Sequence, residues 1–163
     1  MSALGLIGIK PDQVVLAADV ANGLSPHSLG DIGQNVDNDG LKIYKWVKYE
    51  AATAAISGVA GEVAGYYLLD GYKTHTVTSD YSDTLDIGAG VMVAIMADGD
   101  EGWIQIKGPA TLSLAFTAGV DGDPLTILGA GDGTLDLSAL HTDVKCAHAG
   151  DASDFEIICD FMF

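Results

Sequence analysis

Five Asp-Gly pairs, at 39–40, 70–71, 98–99, 121–122 and 132–133, cut this chain into pieces too short for long helices. An aspartate before a glycine is a turn signal. The carboxylate bonds backbone amides just beyond it, and glycine accepts the left-handed conformations of tight turns. The acids lean the same way: 19 of 23 are aspartate, which suits turns and caps, and 4 are glutamate, which suits helix interiors. With 21 glycines beside them, they predict many short strands joined by tight turns. At 163 residues and 48% hydrophobic, the chain is one domain of ordinary size, or a domain with an arm. It needs no metal or disulfide to fold.

The charge balance excludes some partners. Seven lysines and no arginine stand against 23 acids, a net charge of −16. Arginine forks are the usual grip on phosphate and guanine, and the excess of negative charge repels a nucleic-acid backbone. No nucleic-acid partner is expected. No apolar stretch approaches the ~18 residues of a membrane span, so no membrane partner is expected either. Residues 3–9 (ALGLIGI) are apolar but have no basic segment before them. The expectation is a protein made in the cytoplasm, with Cys146 and Cys159 as free thiols.

Residues 1–40 lack a strong period and read as an extended N-terminal arm with one or two short strands. Its apolar groups Leu4, Leu6, Ile7, Ile9, Val14, Val15 and Leu16 are candidate contacts to a neighbouring subunit. Residues 41–163 read as the β-rich domain. Its first strand, 41–49, sets Ile43, Lys45, Val47 and Tyr49 on one face and Lys42, Tyr44, Trp46 and Lys48 on the other, the lysines remaining in water. With Lys73 nearby, these lysines would make the one candidate basic patch. Residues 50–58 are the best short helix candidate, with a loop as the alternative. Residues 62–69 and 72–78 read as strands around an Asp70-Gly71 hairpin turn. Residues 91–96 (VMVAIM) are apolar on both faces, which predicts a central strand or an interface through Val91, Val93 and Ile95. Strands follow at 103–107, 110–116, 125–128 and 144–148. The C-terminus sets Phe155, Ile157, Cys159, Phe161 and Phe163 on one face, to be buried in its own core or against a neighbour. The fold class is all-β, a small barrel or sandwich with an extended N-terminal arm and one candidate short helix.

No pattern of catalytic residues emerges. There is no phosphate loop, nucleophile elbow or dinucleotide fingerprint. Gly58, Gly61 and Gly65 read as small residues that permit close packing. The loop Asn35-Asp37-Asp39-Gly40 matches half a calcium loop, but Trp46 stands where a bidentate glutamate is required. Asp98, Asp100, Glu101, Asp121 and Asp123 read as turn chemistry. Cys146 and His148, with His141 and Cys159, lack the close cysteine pairs of structural zinc sites. The expectation is a binding or structural protein with no enzyme activity, catalytic residues, metal or cofactor.

The segment GAGVMVAIMADGDEGWIQIKGPATLSLAFTAGVDGDPLTILGAGDGTLDL, residues 88–137, resembles the β-rich head-decoration (cement) proteins of tailed bacteriophages. A hydrophobic strand pair leads to a glycine turn. An AGVDGDPL segment (Ala118 to Leu125), Gly133-Thr134 and a last strand (Phe155 to Phe163) follow. Residues 29–49, LGDIGQNVDNDGLKIYKWVKY, are similar to a segment of small phage virion proteins often encoded near the major capsid protein. The resemblance implies a homotrimer that is assembled in the host cytoplasm and sits on the outer surface of the virion. It would bind the major capsid protein and clamp neighbouring capsid subunits against internal pressure. Leu4, Leu6, Ile7, Ile9, Val14, Leu16, Val91, Val93, Ile95, Phe161 and Phe163 are the candidate interface. The alternatives are a head-fibre or tail component, or a carbohydrate- or receptor-binding module using Trp46 and Trp103 as stacking platforms. An exposed groove holding both tryptophans would favour sugar binding, and burial of both would favour assembly.

Overall fold

The structure, a computed structural model, describes residues 7–53, 56–68 and 70–162. Leu4, Leu6 and Phe163 lie outside the described residues, as does the side chain of Ile7. In chain order the elements begin with β1 (Ile7–Gly8), β2 (Val14–Val15), α1 (Ala17–Ala21), β3 (Ile32–Asp37) and β4 (Gly40–Tyr49). β5 (Val63–Tyr67), α2 (Gly71–Thr74), β6 (Thr76–Thr78), a 3-10 turn (Tyr81–Asp83) and β7 (Thr84–Met92) follow. The chain ends with β8 (Glu101–Thr111), β9 (Pro124–Thr126), β10 (Asp136–Leu137), β11 (Ala147–Asp151) and β12 (Glu156–Asp160).

The fold is all-β with a closed barrel at its centre. β4, β6, β5, β7 and β8 are hydrogen-bonded in that order, and β8 returns to β4. β4 and β6 run parallel, and the other neighbours in the ring are antiparallel. Closure removes the free edges that would otherwise invite foreign strands. β8 is long enough to serve twice: Glu101–Lys107 pairs with β4, and Lys107–Thr111 pairs with β12. β12 carries β11, β9 and β10 outward as an antiparallel extension.

Alternation along β4 and β8 builds two cores, because successive side chains point to opposite faces. Val47 and Tyr49 enter the barrel with Ile104, Ile106, Tyr66, Val91 and Met92. Tyr44, Trp46 and Trp103 form a second cluster on the outer face, covered by Ile9, Val15 and Val93. Fully burying each such side chain contributes about 1.5–3 kcal/mol. The glycines at 58 and 65 serve close packing: a Cβ at Gly58 would meet Met92 at 2.6 Å, and one at Gly65 would meet Thr84 at 2.8 Å.

Several expectations are corrected. Of the two readings of residues 50–58 the loop holds: the short helices are α1 and α2 instead, and the described residues of 50–58 contain no helix. Their amides are taken by distant acceptors, Ala51 by Asp98 and Thr53 by Asp83, and Ala52 adopts a positive φ. Asp70-Gly71 opens α2 rather than a hairpin, since the Lys73 and Thr74 amides both donate to the Asp70 carbonyl. The strand expected over 91–96 ends at Met92 and belongs to β7, which starts at Thr84. Lys45 does not stay in water but is buried. The strand expected at 144–148 begins at Ala147, which leaves Cys146 buried and His148 exposed.

Over its described residues, the stretch read as an arm lies on its own chain. β1 adds in parallel to β3, β2 pairs with β8, and the Ala17 amide donates to Asp100 at 2.8 Å. β3 forms a hairpin with β4.

Candidate functional site

The candidate interface residues divide by burial. Val91 and Phe161 belong to the barrel core, so their apolar character is explained by this chain's own interior. Ile157 and Cys159 join them, which places the C-terminal strand in its own core. Ile9 and Val93 pack on the tryptophan cluster and Val14 on the barrel. Leu16 and Ile95 are exposed. Both lie in segments tied to one turn, because Asp100 accepts the Ala17 and Ala97 amides on its two carboxylate oxygens.

A second exposed apolar group was not singled out from sequence. Val36 and Leu41 are paired across the β3–β4 hairpin and remain 69% and 50% exposed. The turn between them is braced. Asp37 accepts the Asp39 amide at 2.9 Å and the Lys42 ammonium at 2.8 Å. The Lys42 hydrogen bond, helped by that amide, holds the Asp37 carboxyl below its ordinary value. Beside the tip, Asp39 and Lys42 line a groove of about 190 Å³ with Pro109 and the exposed Ile158. The sequence signal for this tip was the Asn38-Asp39-Gly40 turn flanked by valine and leucine.

Trp46 and Trp103 are 0% and 2% exposed, so neither offers a stacking face. Trp46 Nε1 donates to Glu101 at 3.0 Å, and the Ser25 hydroxyl donates to the same oxygen. Other acids act as turn braces: Asp98 accepts the Ala51 amide, Asp121 the Ala152 amide and Asp123 the Val120 amide. Both thiols are buried and reduced. Burial pushes the Cys159 thiol up to about 12 and the Cys146 thiol higher still, so neither is a ready nucleophile or ligand.

The basic residues gather differently from the sequence expectation. β3 and β6 lie along the same edge of β4: the Trp46 amide donates to Asp31, while the Lys48 amide donates to His75. Where the two strands part, a pocket of about 460 Å³ opens, lined by Gly30, Ile32, Lys45, Tyr72, Lys73 and His75. Lys45 and Lys73 of the expected patch therefore meet here, whereas Lys42 lies at the hairpin groove.

Comparison with protein-family models, with curated proteins and with solved structures finds no match to this chain.

Proposed function

We propose that this protein is a decoration protein of a tailed-phage capsid, binding the outer surface of the assembled shell and bridging neighbouring subunits of the major capsid protein. The observation that carries the choice of assembly over sugar recognition is the burial of both tryptophans. The large apolar side chains left outside are mainly aliphatic, among them Leu16, Val36, Leu41, Ile95, Val120 and Leu140. Aliphatic groups on braced turns suit protein contacts, since they gain from burial but offer sugars no π-face. The sequence resemblance supplies the partner. The acidic surface keeps unbound copies apart and soluble. The trimer rests on that resemblance alone, because Val91, Met92 and Met96 are consumed by the barrel core.

The hairpin tip of Val36 and Leu41 is the foremost capsid contact on this reading. The test is co-sedimentation of the purified protein with undecorated capsids of the same virus. Wild-type protein pellets with the capsids to saturation. Val36→Asp with Leu41→Asp remains folded and binds at least about tenfold more weakly, the scale of a lost apolar contact. Absence of wild-type binding at micromolar concentration would overturn the reading.

A further inference from the structure

Among the described residues, Lys45 is an ammonium buried without a counter-charge, in a chain that has 23 acids to offer. It is 3% exposed, and among the described residues no carboxylate lies within ion-pair distance of its Nζ. Its hydrogen bond goes to the Tyr66 hydroxyl at 2.9 Å, and the ammonium sits 5.3 Å from the centre of that ring. An ammonium has three donors, and burying one with its charge unmatched is costly. Burial pushes Lys45 below the ordinary lysine value.

The described residues that line the pocket beside it share that sign or are neutral. His75 caps α2 at a left-handed φ of 55°, and its Nδ1 is buried with no hydrogen-bond partner among the described residues. Burial, then Lys45, keeps the His75 proton affinity low. The imidazole is pressed against Gly30, where a Cβ would come within 2.5 Å of Nε2. Lys73 stands at the rim, joined to the exposed Asp70 at 2.9 Å. Ile32 and Tyr72 supply apolar flanks, and Tyr72 is held edge-on to Tyr66 at 5.4 Å. Among the described residues lining the pocket, none is acidic.

We propose that the pocket between β3 and β6 binds a small organic anion, its carboxylate or phosphate head on Lys45, His75 and Lys73 and its apolar body between Ile32 and Tyr72. A volume of about 460 Å³ fits a small ligand with a single ring. Lysine is a point charge that accepts either head group, whereas a bidentate arginine would favour flat, paired oxygens. This site is independent of the capsid reading, since it lies apart from the hairpin groove of Asp39, Lys42 and Ile158.

The test is titration of the full chain, followed by two-dimensional amide NMR, with benzoate, phenyl phosphate, inorganic phosphate and the neutral benzyl alcohol. Benzoate or phenyl phosphate shifts the amides of Gly30, Ile32 and Tyr72 to His75 at millimolar concentration, while inorganic phosphate binds more weakly and benzyl alcohol not at all. The better of the two aromatic anions identifies the head group. Lys45→Met weakens binding about tenfold or more, the worth of a hydrogen bond to a charged group. Should that variant not fold, Lys73→Met, at an exposed position, weakens it about threefold through lost Coulomb attraction. The proposal is overturned if no probe gives shifts confined to the pocket at about 10 mM. Equal binding of benzyl alcohol and benzoate, or unchanged affinity in whichever variant folds, also overturns it.

Discussion

Trp46 and Trp103 stand opposite each other across β4 and β8 with their rings edge-to-face at 5.1 Å, and His27 lies 4.8 Å from both. The pair joins the outer face of the barrel to the N-terminal strands, because Ile9 and Val15 pack on it. Trp103→Ala therefore opens the second core and costs about 3–5 kcal/mol in urea unfolding. In the wild-type protein, tryptophan emission is blue-shifted, resists acrylamide and does not change when sugars are added. Ready quenching in the folded state would contradict the burial.

The β4 alternation, the burial of Ile157, Cys159 and Phe161, and the alternation over 103–107 were legible in the sequence. Each depends on a period-two pattern with bulky residues on the buried face. The strand expected at 110–116 is corrected: β8 runs unbroken through Gly108 and Pro109 and ends at Thr111. β7 was read only at its end, since Asp86, Gly88 and Gly90 are poor strand formers in isolation. Gly88 and Gly90 are required by close neighbours that the sequence does not display, Phe161 and Ile104. The buried lysine was missed because a lysine at a strand position reads as solvated. Its surroundings come from β3, β4, β5 and α2, which are not adjacent in the chain.

Lys45→Met removes a desolvation penalty while keeping most of the stem's packing. The variant is about 1–3 kcal/mol more stable than wild type at pH 7 by urea unfolding. The Lys45 proton affinity is lowered in the folded state, so the penalty exists while the unfolded lysine is charged and vanishes once both states are neutral. The difference between the two proteins therefore shrinks as pH rises toward about 10.4. A variant less stable than wild type at pH 7 would show that the bond to Tyr66 outweighs desolvation.

Alkaline pH destabilises the fold through groups that burial keeps protonated. Cys159 and Tyr66 are pushed up to about 12, and Cys146 and Tyr81 are also raised by burial. Unfolded thiols lose protons near about 8.5 and unfolded tyrosines near about 10. The folded-state values are higher, so this stability is fully present below about pH 8.5 and is lost as pH rises through the folded-state values. The unfolding free energy from urea titration stays level from neutrality to about pH 8.5 and then falls, by about 1.4 kcal/mol per pH unit for each fully titrating group. Cys159→Ala lessens the slope between about pH 9 and 12.

Both thiols resist Ellman's reagent in the folded protein and react only as fast as the barrel opens, because reaction requires an exposed thiolate. Raising urea to the unfolding midpoint increases the rate by orders of magnitude. Immediate reaction of either cysteine in native buffer would contradict the burial of Cys146 and Cys159.

Reconstruction of the whole virion by electron cryomicroscopy tests the proposed function most directly. Barrel-shaped density of this chain is expected on the outside of the head, over junctions between capsid subunits, with Val36 and Leu41 of the β3–β4 hairpin turned toward the shell. A particle lacking this chain, or carrying it only in the tail or a fibre, would contradict the proposed function.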